Sequence, residues 1–200
     1  MTRVIGLTGG MGSGKSTVSQ LLAEFGTVII DADTVGHEAY QPNTKTWQEL
    51  IAAFGQQILA PDRSIDRKKL GAIVFGNPEQ LERLNHIVHP RMFEMMKERI
   101  EQYRRQGVKV VVLDAAILFE ANWTPLVNEI WVVVASEPVV VARARARTGL
   151  PEEQIRSRLS SQMPVEEKVK KANVIIHNDG TFEDLRAKVR ELWAALKDSS

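Results

Sequence analysis

Residues 9 to 16, Gly-Gly-Met-Gly-Ser-Gly-Lys-Ser, match the spacing G-x-x-x-x-G-K-[ST], and no other feature of the 200-residue chain limits its fold as tightly. Val4 to Thr8 in front of it read as a buried strand. Behind it, Thr17 to Phe25 carry Val18, Leu21, Leu22 and Phe25 at helical spacing. A loop so placed joins a strand to a helix N-terminus. There, glycines let the backbone fold around an anion without Cβ clashes, and N–H groups and the helix dipole point at phosphates. The expectation is a bound triphosphate, with Gly10, Met11, Gly12, Ser13 and Gly14 forming the cradle. Lys15 reaches the β and γ oxygens, and Ser16 offers a hydroxyl to Mg²⁺.

Apolar, β-rich runs recur at 3 to 8, 28 to 30, 108 to 113, 130 to 135 and 174 to 176, and most of the stretches between them have helical periodicity. That alternation predicts an α/β fold, a five-stranded parallel sheet with helices on both faces in three α/β/α layers. The long gap before the third run holds Trp47 to Ile51, Lys69 to Phe75 and a helix from Arg91 to Arg105, and reads as a helical substrate-binding insertion. A second helical excursion, 138 to 172, has Pro151 ahead of Glu152 and Glu153 and Pro164 ahead of Glu166 and Glu167, both helix-start signatures, and reads as a lid.

Composition narrows the classes. Twenty-six Lys and Arg face 25 Asp and Glu, and the net charge of +1 supplies no whole-chain field of the kind that marks nucleic-acid binders. The chain has no cysteine, which removes disulfides, thiolate zinc sites and thiol nucleophiles. The first strand starts within a few residues of Met1, and no apolar run approaches the roughly 18 residues of a membrane span. A cytoplasmic protein that engages no membrane or nucleic acid is expected, as a monomer or weak homo-oligomer.

Several side chains are candidates for chemistry. Asp31 and Asp33 end the second strand, where residues two apart point the same way at the carboxyl edge that binds ligands in open α/β sheets. A carboxylate there accepts or orients an attacking hydroxyl, or else caps the helix beginning near Thr34. Asp114 ends the third strand, where an acid holds Mg²⁺ directly or through water, or simply terminates the strand. Glu120 closes the next apolar run as a functional acid or a cap. Residues 143 to 171 carry eight basic against four acidic side chains. Within them Arg143 and Arg147 share a helix face and suit stacking on a base or clamping of phosphoryl oxygens, while Arg145 and Arg156 read as solvated. Asn178, Asp179 and Gly180 after the fifth strand either pass backbone groups to an adenine edge or form a turn. The tryptophans and the Met92, Met95, Met96 group read as core.

The opening Gly6 to Thr17, the Ile29-Ile30-Asp31-Ala32-Asp33 run, Arg67, Leu84 to Pro90, Leu118-Phe119-Glu120 and Ser161 to Lys168 leading to Ala172 resemble the dephospho-CoA kinase family nearly end to end. The resemblance implies a single P-loop NTPase-type kinase domain. Its core spans about 1–40, 107–137 and 173–200, a CoA-binding insertion about 41–106 and a lid about 138–172. It implies ATP and Mg²⁺ as donor and cofactor, and dephospho-CoA as acceptor. By the same likeness Thr17 joins the ATP loop, Lys15, Asp33 and Arg143 carry the chemistry, and Thr8, Asp31, Asp33, Arg67, His89, Leu118 and Glu120 bind the acceptor. The chain departs from the family pattern at Ala116 for Pro, at Val140 for a Gln three residues before the first lid arginine, and at Asn173 for Asp.

Two other readings start from the loop alone: a kinase for another small hydroxyl compound, and a nucleotide-dependent switch. For the switch, Asp33-Thr34-Val35-Gly36 spells D-x-x-G but follows Lys15 too soon, and no Asn-Lys-x-Asp guanine reader exists in the chain. A dinucleotide-binding reading fails because Lys15-Ser16 follow the last glycine.

Overall fold

The computed structural model describes residues 2–160 and 163–198 and divides into two compact units. Ser161 and Gln162 lie outside the described residues, as do the side chains of Ser157, Arg158 and Ser160. One unit comprises Met1–Ile30 with Ile100–Ser200, and the other is Asp31–Arg99.

The first unit is built on a sheet. Strand β1 (Arg3–Gly9) leads into α1 (Lys15–Glu24), and β2 (Val28–Asp31) follows. After the second unit come β3 (Val110–Asp114), β4 (Glu129–Val134), α6 (Glu137–Thr148), α7 (Glu152–Ser160), α8 (Val165–Lys170), β5 (Val174–His177) and α9 (Phe182–Asp198). The strand order is β2-β3-β1-β4-β5, so β1 lies at the centre, flanked by parallel β3 and β4. The order reverses direction at β1. In open parallel sheets that reversal opens a ligand crevice beyond the strand ends, where the loop after Gly9 begins.

Period-two alternation assigns the two faces of the sheet. Ile5, Leu7, Trp131 and Val133 bury against Val18, Leu21 and Leu22 of α1 and Leu185 and Val189 of α9. The intervening Val132 and Val134 face the other way, with Phe119, Met163 and Val169. Strands with both faces covered tolerate the near-continuous valine and isoleucine runs seen here.

Two asparagines set the register of β4 and β5 by the same device. Asn128, just before β4, donates its backbone N–H to Val4 O at 2.8 Å and accepts Val4 N–H on its side-chain oxygen at 2.7 Å. Asn173, just before β5, repeats this with Ile130, at 2.9 Å and 2.8 Å. Asn173 therefore keeps the acceptor oxygen that an aspartate would offer at that position.

The second unit is helical: α2 (Ala32–Ala39), α3 (Lys45–Phe54), α4 (Arg67–Val74) and most of α5 (Pro78–Arg105). Thr44 caps α3 through Trp47 N–H, and Asp66 caps α4 through Lys68 and Lys69 N–H. Three of the tryptophans, Trp47, Trp123 and Trp131, are buried, as are Met92 and Met96.

The sequence places a helix start at Arg91, after Pro90. The structure instead runs α5 unbroken through Pro90. Burial explains the difference: Val88, Met92 and Met96 form an i, i+4 stripe with exposures of 7%, 7% and 0%, crossing the proline on the face opposite its exposed ring. Pro90 supplies no N–H for the carbonyl of His86 four residues earlier. Since that ring is exposed and packs little, Pro90→Ala is expected to raise the unfolding free energy by about 1–3 kcal/mol. Urea titration checks this, and an unchanged or lower midpoint would contradict it.

Candidate active site

At the end of β1 the chain turns through Gly12 (φ 76°) and Gly14 (φ 93°), both in the left-handed region that side chains rarely adopt. Gly14 is the N-cap of α1, and its carbonyl accepts Thr17 and Val18 N–H at 3.0 and 3.1 Å. Ser13 N–H closes the loop onto Gly10 O at 3.2 Å. The first turn of α1 contains no acidic residue and opens with Lys15, so the positive end of the helix is left for an anionic ligand. Ser16 is exposed there, one residue on.

The loop is held from behind. Asn178, nearly buried after β5, donates its side-chain amide to Ser13 O at 2.8 Å. A Cβ on Gly14 would collide with that same amide nitrogen, so this site requires glycine for space as well as for φ. Asn178 N–H is spent on Val134 O, and its carbonyl accepts Arg143 Nη1 at 2.9 Å. Asn178 thus braces the loop through its side chain, while its carbonyl, already accepting one donor, keeps a second lone pair. Asp179 likewise accepts Ser136 N–H at 2.7 Å, which holds its carboxyl below the usual range. Gly180 follows in the same turn. From α6, Val140 packs on Gly12, 3.1 Å from where a Cβ would sit. Arg143 lies half-buried in the middle of that helix and Arg147 is exposed near its end, one turn apart.

At the ends of β1 and β3 the polar groups converge. Asp114, 8% exposed, forms an ion pair with Lys15. Thr8 Oγ1 donates to Ala116 O at 3.1 Å, and Lys168 Nζ donates to the same carbonyl at 3.1 Å. Lys168, 1% exposed, also pairs with Glu120 at 2.9 Å, and Glu120 accepts Met163 N–H at 3.4 Å. Sequence reasoning missed Lys168. Its position three residues into α8 carries no signal of burial, because the surrounding glutamates and lysines mark a solvated face. Leu118, expected against the acceptor, is instead fully buried over Gly6, whose missing Cβ leaves it room. Its carbonyl is also taken, by Trp123 N–H at 2.9 Å.

In the helical unit, Asp31 is the last residue of β2 and the N-cap of α2, accepting Thr34 N–H at 2.9 Å. The helix starts at Ala32, so Asp33 sits exposed in its first turn. The strand-alternation argument for the two carboxylates therefore fails: only Asp31 belongs to the strand, and it caps. Half-buried Tyr40, seven residues beyond Asp33, is the C-cap of α2. Burial raises its phenol above 10.0; the Arg67 guanidinium opposes this and the Asp33 carboxylate adds to it, so all three share one electrostatic neighbourhood. Tyr40 was also missed, and its spacing from Asp33 was the available signal. His89 lies on α5, and burial, followed by the charge of His86, pulls its imidazole below 6.5.

A glycine-bent loop feeding Lys15 and Ser16 into a helix, at the central strand of a sheet in this order, defines a P-loop kinase fold. A shikimate kinase from Bacteroides thetaiotaomicron, 14% identical with a TM-score of 0.56, shares that fold over 96% of this chain and 98% of its own. The family model for dephospho-CoA kinase matches residues 3–184. A dephospho-CoA kinase from Geobacter sulfurreducens is 46% identical over 191 residues, 96% of this chain and 97% of its own. The structure of a dephospho-CoA kinase from Campylobacter jejuni superposes with a TM-score of 0.75 at 26% identity, covering 100% of this chain and 99% of that one. The chain belongs to the dephospho-CoA kinase family.

Two outcomes follow from the geometry. Gly14→Ala should weaken ATP binding at least about tenfold, and adding Asn178→Ala should not restore it, because the left-handed backbone still costs about 1–2 kcal/mol. Calorimetric titration of both variants decides; full recovery in the double variant would leave only the steric term. The second concerns pH. With the folded His89 below 6.5, the unfolded chain takes up its proton first, so this residue removes stability as pH falls through 6.5 towards the folded value. His89→Gln should flatten that part of the drop in unfolding free energy between about pH 7.5 and 5.5. A drop equal to that of the native chain would contradict the assignment.

Proposed function

We propose that this chain transfers the γ-phosphoryl group of ATP to the ribose 3′-hydroxyl of dephospho-CoA, giving CoA and ADP, the last step of CoA biosynthesis. The observation that carries the reading is the Gly14-Lys15-Ser16 entry to α1, set in a chain that matches the family over nearly its whole length. Phosphoryl transfer passes through a loose transition state, so catalysis rests on alignment and charge neutralisation more than on covalent chemistry.

Each residue then has a task. The N–H groups of Gly10 to Thr17 and the end of α1 hold the phosphates, and Lys15 follows the charge that moves onto the β–γ bridging oxygen. The Lys15–Asp114 pair keeps the ammonium on the loop side of β3. Arg143, fixed on Asn178 O, and Arg147, one turn on, meet the nucleotide from α6. Asp33 orients the 3′-hydroxyl and accepts its proton as the new P–O bond forms. Arg67 suits the phosphates of the acceptor, with Tyr40 beside it. Thr8 and Glu120 serve the acceptor from the sheet edge.

The donor set also fits Mg²⁺. The Ser16 hydroxyl and Asp114 carboxylate are hard oxygens, and a nucleotide-bound Mg²⁺ takes only one or two protein ligands besides phosphates and water. Among the described residues no group of three or more acidic or histidine side chains forms a closed protein cage, in keeping with such a shared site. When bound, the ion neutralises charge on the β and γ oxygens. We further propose that the helical unit serves the acceptor and that the protein works in the cytoplasm, as a monomer or weak homo-oligomer. No helix among the described residues is long and apolar enough to cross a membrane.

An acceptor panel with ATP and Mg²⁺, read by coupled ADP release, tests the reading; preference for a nucleoside or AMP over dephospho-CoA would overturn it. Within it, Lys15→Ala should lower kcat/KM by about 10²–10³-fold through misplaced phosphates. Asp33→Asn should lower kcat by about 10²–10⁴-fold with ATP affinity little changed. Native turnover by Asp33→Asn would remove Asp33 from the proton-accepting role.

A further inference from the structure

Lys168 is a buried ammonium, 1% exposed, on a six-residue helix whose neighbours Glu166 and Glu167 are exposed. Its Nζ makes two bonds, to Glu120 Oε1 at 2.9 Å and to Ala116 O at 3.1 Å. Both partners accept a second donor: Ala116 O takes the Thr8 hydroxyl at 3.1 Å, and Glu120 Oε1 takes Met163 N–H at 3.4 Å. One nitrogen thus ties α8 to both ends of the loop 116–120, and that loop leaves Asp114, the partner of Lys15. Desolvating a lysine in this way is poor economy if stability alone is at stake, since a buried ion pair is often matched by apolar side chains of similar volume. What the pair does supply is direction. With Ala116 O and Glu120 both bonded to one nitrogen, the Thr8 hydroxyl is turned toward that carbonyl and the loop is tied at both ends.

We propose that Lys168 is a positioning residue for the acceptor: it holds the 116–120 loop, with Thr8 and Glu120, in the arrangement that receives the acceptor, and it does not act on the donor nucleotide. The assignment rests on the reading of function above. Lys168 touches no reacting atom in it. Its effect passes through Glu120 and Ala116, so the charge on residue 168 and its reach to two acceptors both matter.

The test is steady-state kinetics of the full chain with each substrate varied, for Lys168→Met, Lys168→Arg and Lys168→Gln, at a temperature at which thermal melts show each variant folded. For Lys168→Met, kcat/KM for dephospho-CoA should fall about 10–100-fold, the scale of a lost supporting contact, while KM for ATP stays within about twofold. Lys168→Arg, which keeps charge and reach, should recover most of that loss. A purely structural lysine would lower the melting temperature and reduce the folded fraction without changing KM for either substrate, and that result overturns the proposal. Equal losses toward ATP and acceptor overturn it too. If Lys168→Met does not fold, Lys168→Gln, which keeps a donor without the charge, takes its place; native kcat/KM for the acceptor in that chain would again overturn the assignment. If the native chain does not turn over dephospho-CoA, the reading of function falls by itself, and the same variants are compared with the acceptor the panel prefers.

Discussion

The hydrogen bond from the Asn178 amide to the carbonyl of Ser13 is the contact on which the rest of the site depends. The loop's own bonds span only a few residues, and the bend at Gly14 is one that side chains rarely adopt. It persists because a carbonyl that would otherwise be buried without a partner, a loss of about 1–3 kcal/mol, finds its donor 165 residues away. Asn178 is placed by its own N–H on Val134, thus by the β4–β5 pairing, and β4 pairs with β1. The glycine loop near the start of the chain is therefore held through the pairing of the fifth strand. Arg143 adds α6 to the same arrangement through the Asn178 carbonyl. Loop, fifth strand and α6 meet on Asn178.

Charge at the carboxyl edge is organised in two ion pairs, Lys15–Asp114 and Lys168–Glu120, both with at least one partner nearly buried. Neither is a natural source of stability, because desolvation offsets most of the attraction. Stability comes from the apolar layers on the two faces of the sheet, where β1 and β4 are almost wholly enclosed. Burying the pairs instead limits the positions their charges adopt. The P-loop lysine is thus held by the acid at the end of the neighbouring strand.

Much of the fold was legible in the sequence because its signals are local or periodic. The five apolar runs became five strands within two residues at each boundary, and Gly12, Gly14, Lys15 and Ser16 lie in the strand-loop-helix context their spacing requires. The corrections fall where a distant partner decides. The brace at Asn178 was not legible because nothing near it in sequence shows that Ser13 lies beneath its amide. Leu118 looked like a ligand contact because the space over Gly6 is a property of two strands side by side. Lys168 sits in a charged hexapeptide that reads as solvated until the 116–120 loop is folded over it. Pro90 misled for another reason: its local penalty is real, but a buried stripe running past it on the opposite face of α5 outweighs the lost hydrogen bond.

The two aspartates after β2 show how such a correction changes chemistry as well as position. Had both ended a strand, they would be equivalent carboxylates competing for one role. In the structure Asp31 closes the first turn of α2 onto Thr34 N–H, and Asp33 projects from the turn that this bond holds. A cap fixes the backbone of the first turn, and so the direction in which Asp33 leaves it. The partial positive charge at the same helix end favours a carboxylate there. In the function we propose, Asp31 would therefore act on the reaction through Asp33. In a transfer with a loose transition state, where the angle of the incoming hydroxyl matters more than the strength of the base, fixing that direction is the larger contribution.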